Sequence, residues 1–159
     1  MYKEMIKATF TKCGIEQFVD LSKDFAQKLG LDAENYVCIA FKQDSLMGSV
    51  AIFLDEYTIT AEIKFPEIPT ERLNDIKAYC ELYNTNSPFG FLALDPSGDT
   101  IDLRSAVYYK NSEVTQVTIN NVIQPLLIKS AELKGLLVKL LNKETTVEQT
   151  IKDTNFSLL

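Results

Sequence analysis

The spacing of hydrophobic positions changes several times along the chain. Tyr2, Met5, Ile6, Thr9 and Phe10 recur at three- and four-residue intervals, which predicts an amphipathic helix at the start. Gly14 interrupts it. The same spacing resumes with Ile15, Phe18, Val19, Ala26 and Leu29, while Glu16, Asp20, Lys23 and Lys28 take the outer face. This predicts more helix, either a second one or a bent continuation, ending at Gly30, where glycine accepts the left-handed backbone of a helix C-terminus.

From Tyr36 the period shortens. Tyr36 to Phe41 is a short apolar, β-branched run and predicts a strand. Lys42 to Met47 is polar enough for a turn, and Gly48 to Leu54 is a second strand, with Asp55-Glu56 at the centre of a tight connection. Tyr57, Ile59, Ala61, Ile63 and Phe65 then alternate with Thr58, Thr60, Glu62 and Lys64. One face of this third strand therefore meets a core and the other meets water. Pro66 and Pro69 end it.

Thr70 is placed to cap a helix with Glu71 in its first turn, and Leu73, Ile76, Cys80 and Tyr83 form its apolar face. Asn84 and Asn86 close it. Phe89 to Leu94 and Thr100 to Tyr109 predict two strands joined through Asp95-Pro96-Ser97-Gly98. A long helix starts between Thr115 and Thr118 and runs to Leu141. Pro125 either kinks it or marks a later start near Gln124. Thr145-x-x-Glu148 reads as the capping box of a short last helix, and Thr154 to Leu159 as a loose tail. The fold class is α+β, in the order α-β-β-β-α-β-β-α, with an antiparallel sheet packed against helices. Residues 1–142 are expected to form one domain, and residues 143–159 a short helix and tail.

Composition narrows the function more than the fold. Of 159 residues, 46% are hydrophobic and 24% charged, and the net charge is −6. An acidic chain lacks the basic footprint that nucleic-acid binding needs. The N-terminus alternates charged and apolar residues, unlike a secretory signal. No stretch reaches the ~18 uncharged apolar residues of a membrane span. Cys13, Cys38 and Cys80 are scattered singly, which fits a reducing cytoplasm with each thiol acting as a small hydrophobe. The Asn155-Phe156-Ser157 sequon is then without consequence.

The chain has no histidine, which removes histidine-based nucleophile pairs, proton shuttles and metal sites together. Asp95, Ser97 and Asp99 fall at ligand positions of a calcium loop, but Thr100 stands where such a loop needs glycine and Ala106 where it needs glutamate. A hairpin turn accounts for the segment. Neither a catalytic, a cofactor nor a metal site is expected. Strand aromatics are first of all packing residues. Tyr57, Phe89, Phe91, Tyr108 and Tyr109 are the candidates for an exposed partner or dimer surface. Tyr108 and Tyr109 are adjacent, so in a strand they face opposite ways.

The element order resembles that of type III secretion chaperones and the related YbjN-like proteins. Residue by residue, the likeness lies in Asn84-Thr85-Asn86 after a helix, then Phe89 to Asp95 and Gly98 to Leu103, with a leucine-rich last helix behind them. The resemblance implies a small acidic cytoplasmic protein, homodimeric, that binds a client polypeptide or regulatory partner and performs no covalent chemistry. The alternative is a small-ligand-binding domain with a pocket between the sheet and the long C-terminal helix.

Overall fold

The computed structural model describes residues 1–65 and 67–157. The expected strand stop at Pro66 and the last two tail residues, Leu158 and Leu159, lie outside them. Five helices and six strands are described: α1 (Tyr2–Lys12), β1 (Gln17–Asp20), α2 (Ser22–Leu29), β2 (Tyr36–Gln43), β3 (Leu46–Phe53), β4 (Thr58–Lys64), α3 (Leu73–Asn86), β5 (Phe91–Leu94), β6 (Ile101–Tyr108), α4 (Gln116–Leu141) and α5 (Val147–Asp153). The strands form one sheet in the order β1-β2-β3-β4-β6-β5. The α+β layout with an antiparallel sheet against helices is therefore found, with one strand more than the pattern predicts.

The additional strand is β1. Phe18 and Val19 were expected on a helix, but Gly14 adopts the left-handed backbone (φ 77°) directly after α1, and the chain turns back along β2. Gln17 to Asp20 pair antiparallel with Lys42 to Ile39. Helix α2 follows at once and ends, as expected, on Gly30 in the left-handed conformation.

The chain folds into two compact units, residues 1–62 with 105–124 and residues 63–104 with 125–159. In the first, β2 is buried along nearly its whole length. Phe10 of α1 packs on Phe41 with ring centroids 4.8 Å apart. On the other face Ala26 of α2 packs with Tyr36, Cys38 and Ala51. Burial on both faces is why β2 reads as a continuous apolar run rather than an alternation. Gly48 lies opposite Phe41, and a Cβ there would sit 2.5 Å from the Phe41 ring and 2.6 Å from the Glu62 carbonyl oxygen, so only glycine fits. Strand β4 alternates as predicted, with Ile59, Ala61 and Ile63 fully buried. Tyr57 does not continue it. It takes φ 53° in the turn before the strand.

In the second unit, α3 buries Ile76, Tyr79, Cys80 and Tyr83. Thr70 does not cap it: Thr70–Arg72 form a 3-10 turn, and α3 starts without a side-chain cap. Arg72 instead pairs with Asp75 at 2.6 Å and donates to the Leu140 carbonyl. Helix α4 begins at Gln116 and continues through Pro125, so the later start near Gln124 is excluded. The cap of α5 is one residue beyond the expected Thr145. Thr146 Oγ1 accepts from the Gln149 N–H at 3.2 Å. The tail is not loose as far as Ser157, because Thr154, Asn155 and Phe156 each contact α3 or α4.

Candidate functional site

A sheet has two outer edges, and here they differ. Leu21 N–H donates to the Cys38 carbonyl at 2.9 Å, just past the β1 register. In an antiparallel ladder alternate residues bond to the same neighbour. Val19 and Gln17 thus share the inward role of Leu21, and the backbone N–H and C=O groups of Phe18 and Asp20 point away from β2. Among the described residues no strand lies beyond them.

The end of β1 is held firmly. Asp20 pairs with Lys3 at 2.7 Å and accepts from the Ser22 N–H at 2.9 Å and hydroxyl at 2.6 Å. Ser22 Oγ in turn accepts the Cys38 N–H at 2.9 Å. Desolvation pushes the Asp20 pKa up, but the Lys3 and Ser22 bonds outweigh it and bring the carboxyl down to about 2. Beside the edge lies a shallow depression of about 330 Å³, lined by Phe18, Val19, Ala40, Phe41 and Met47, with Glu16 and Lys42 also on its wall. Val19 is 54% exposed and Met47 58%.

The opposite edge, β5, is covered at its centre. Leu92 N–H donates to Asn84 Oδ1 at 2.7 Å, and Asn84 Nδ2 donates to the Leu92 carbonyl at 2.9 Å. The amide of one α3 side chain therefore satisfies the outward backbone groups at the middle of β5, as a further strand would. Covering an edge in this way blocks its use as a template.

The five aromatic candidates separate. Tyr57 and Tyr109 meet edge to face, with centroids 5.9 Å apart and planes at 77°, and the Tyr109 N–H donates to the Tyr57 carbonyl at 2.8 Å. Tyr109 is buried and Tyr108 is 65% exposed, as expected of neighbours facing opposite ways. Phe89, half-buried, and Phe91, 45% exposed, belong to the second unit.

Tyr57 and Tyr109 also line a cleft of about 730 Å³ in the first unit, with Tyr2, Met5, Val114 and Gln116. The Tyr109 hydroxyl is buried and has no hydrogen-bond partner among the described residues. Burial raises its pKa, with Tyr2 and Tyr57 adding to the effect, so the group is a neutral phenol at physiological pH.

Burial pushes the thiols of Cys13 and Cys38 up and that of Cys80 up to about 12. None is a thiolate nucleophile near neutrality. Among the described residues no group of three or more Cys, Asp or Glu is placed to hold a metal ion. Asp95 serves its turn, accepting from the Ser97 N–H at 2.9 Å and hydroxyl at 2.7 Å. No described helix is long and apolar enough to cross a membrane.

The β1 edge was missed in the sequence because Phe18 and Val19 also fit a helical spacing. The one local signal was Asp20-x-Ser22, a helix-start pattern that would have placed the α2 boundary after Val19.

No protein-family model and no curated protein matches the chain. Among solved structures, a chain in the crystal structure of the ExsC-ExsE complex is similar at 12% identity and a TM-score of 0.49, over 74% of this chain and 90% of that one.

Proposed function

We propose that this chain is a non-catalytic protein-binding module, chaperone-like or regulatory, that takes an extended segment of a client as a further strand on β1. The observation that carries this is the difference between the two sheet edges. At β1 the backbone groups of Phe18 and Asp20 point outward beside exposed Val19 and Met47, whereas Asn84 occupies the equivalent groups of β5. Main-chain bonds along such an edge supply affinity, and side-chain pockets beside it supply selectivity. The likeness of the sequence to type III secretion chaperones and YbjN-like proteins points the same way, and with it go a cytoplasmic location and a homodimeric state. Tyr108 of the first unit is offered as a dimer contact, and Phe89 and Phe91 of the second unit as a separate one.

Probing an array of extended peptides with the wild-type chain and with Val19→Lys and Met47→Lys tests the reading. A lysine at Val19 charges the exposed edge strand, which resists strand addition, and a lysine at Met47 charges the depression beside it. Both cost the fold little, since exposed substitutions stay within about 0.5 kcal/mol. Peptides held by the wild type should be lost by both variants. Equal retention by the variants, or no retained peptide at all, would remove the proposal. Light scattering of Tyr108→Glu against the wild type tests the dimer separately.

The Tyr109 hydroxyl favours a second reading, a small neutral ligand in the tyrosine-lined cleft presenting an acceptor to that group. A fragment screen read by thermal shift, with hits lost in Tyr109→Phe, would establish it.

A further inference from the structure

The segment after α5 is bound to its own unit as a peptide is bound to a receptor. Thr154 leaves α5 in an extended conformation, and its hydroxyl donates to the Thr150 carbonyl at 2.7 Å. The Tyr79 hydroxyl of α3 is 2.9 Å from the Thr154 hydroxyl oxygen and hydrogen-bonds to it. At the next residue both main-chain groups are taken by two α4 side chains. Asn155 N–H donates to Glu132 Oε1 at 2.6 Å, and Lys129 Nζ donates to the Asn155 carbonyl. Lys129 and Glu132 are themselves paired at 3.2 Å, which orients the donor and the acceptor together. One residue on, the Phe156 ring packs on Tyr83 of α3 with centroids 5.7 Å apart.

The Asn155 side chain contributes nothing to these contacts, because its Oδ1 accepts from the Ser157 N–H and hydroxyl. The site therefore reads a hydroxyl, then the main chain of any residue, then an aromatic ring. Lys129 is 96% buried by residue exposure of 4%, which is costly for an ammonium unless every contact is made. A tail needed only to cover α3 and α4 could do so with apolar side chains. A buried ion pair spent on one peptide unit is instead the chemistry of extended-peptide capture.

From this geometry we infer that the face formed by Tyr79, Tyr83, Lys129 and Glu132 is a peptide site held in cis by residues 154–157. In trans it takes a partner segment of the pattern Thr/Ser-x-Phe. The site lies in the second compact unit and does not depend on the β1 edge. The tethered tail is present at a high effective concentration, so a partner enters only as the tail leaves.

The test uses a fluorescein-labelled peptide of residues 150–157 and a control peptide with alanine at the positions of Thr154 and Phe156. Anisotropy titrations compare the full-length wild type with full-length Thr154→Ala/Phe156→Ala. The double variant should bind the peptide saturably and at least about tenfold more tightly than the wild type. The control peptide should bind neither, and adding Lys129→Met to the double variant should abolish binding. Equal binding to wild type and variant, or none to a variant folded by circular dichroism, would overturn the inference. If the double variant does not fold, hydrogen exchange on the wild type decides. Excess peptide should quicken exchange at the Asn155 amide, and unchanged exchange would overturn the inference equally.

Discussion

Asn84 shows how one side chain can determine what a whole edge does. Its amide donates to and accepts from Leu92, so replacing it with alanine strips two partners from one backbone residue. An unsatisfied buried group costs about 1–3 kcal/mol, and Asn84→Ala should lower the urea stability by that order. Asn84→Asp should fall in the same range, since a carboxylate can accept from the N–H but only repels the carbonyl. A result indistinguishable from wild type would show that water replaces the amide freely. Asp20 yields a prediction of different form. Its pKa falls from 3.8 to about 2 on folding, so its contribution is complete above the unfolded value and disappears as pH falls through the folded one. The urea midpoint of Asp20→Asn should lie below that of wild type by a constant amount from neutrality to about pH 5, and the gap should narrow as pH falls from there through about 2. A gap that had not narrowed by about pH 2 would show that the Lys3 and Ser22 bonds are not what holds the carboxylate. Neither role could be read from the sequence. Asn84 was legible as a residue that ends a helix, but its partner Leu92 is fixed only once β5 folds back alongside α3.

At the scale of elements, what the sequence disclosed depended on how many positions each pattern had in which to repeat. β4 alternates over seven residues, Thr58–Lys64, and its buried face was plain. β1 has four residues, and within four positions the pair Phe18-Val19 satisfies both a strand and a helical stripe continuing to Ala26. Only the reversal at Gly14 and pairing with β2 decide between them. The same ambiguity occurs at the start of α5, where two overlapping patterns, Thr145-x-x-Glu148 and Thr146-x-x-Gln149, spell a cap. The backbone takes the second, with Thr146 at φ −102° and ψ 164°. Thr146→Ala should therefore cost about 1 kcal/mol, within the 0.5–2 kcal/mol usual for a lost N-cap, and Thr145→Ala should cost clearly less. The reverse order in thermal melts would return the cap to Thr145. Pro125 was legible as an obstacle, but its resolution was not. α4 passes through it and forgoes the bond that the Asn121 carbonyl would receive, with Val122, Ile123, Leu126 and Leu127 buried on either side.

For the whole molecule, the unanticipated result is that a chain with no linker or change of composition divides into two compact units. The division escapes a linear reading because it passes inside β4, β6 and α4, where hydrophobic patterning is continuous. Each unit has its own buried centre: Phe10, Ile39, Val50, Ile119 and Ile123 in one, Ile76, Tyr79, Tyr83, Leu133 and Leu140 in the other. Stability in such a molecule need not be uniform, because cooperative units open at their own free energies. Ile76 is fully buried, and truncating it to alanine should cost about 2–5 kcal/mol through lost burial and the cavity left behind. Native-state hydrogen exchange on Ile76→Ala resolves where that cost falls. If the units are separate in energy as well as in packing, protection should drop in α3, α5 and the Pro125–Leu141 part of α4, while the amides of β2 and β3 keep wild-type rates. A uniform loss across both sets would show that the chain opens as one cooperative whole, and the division would then describe its packing alone.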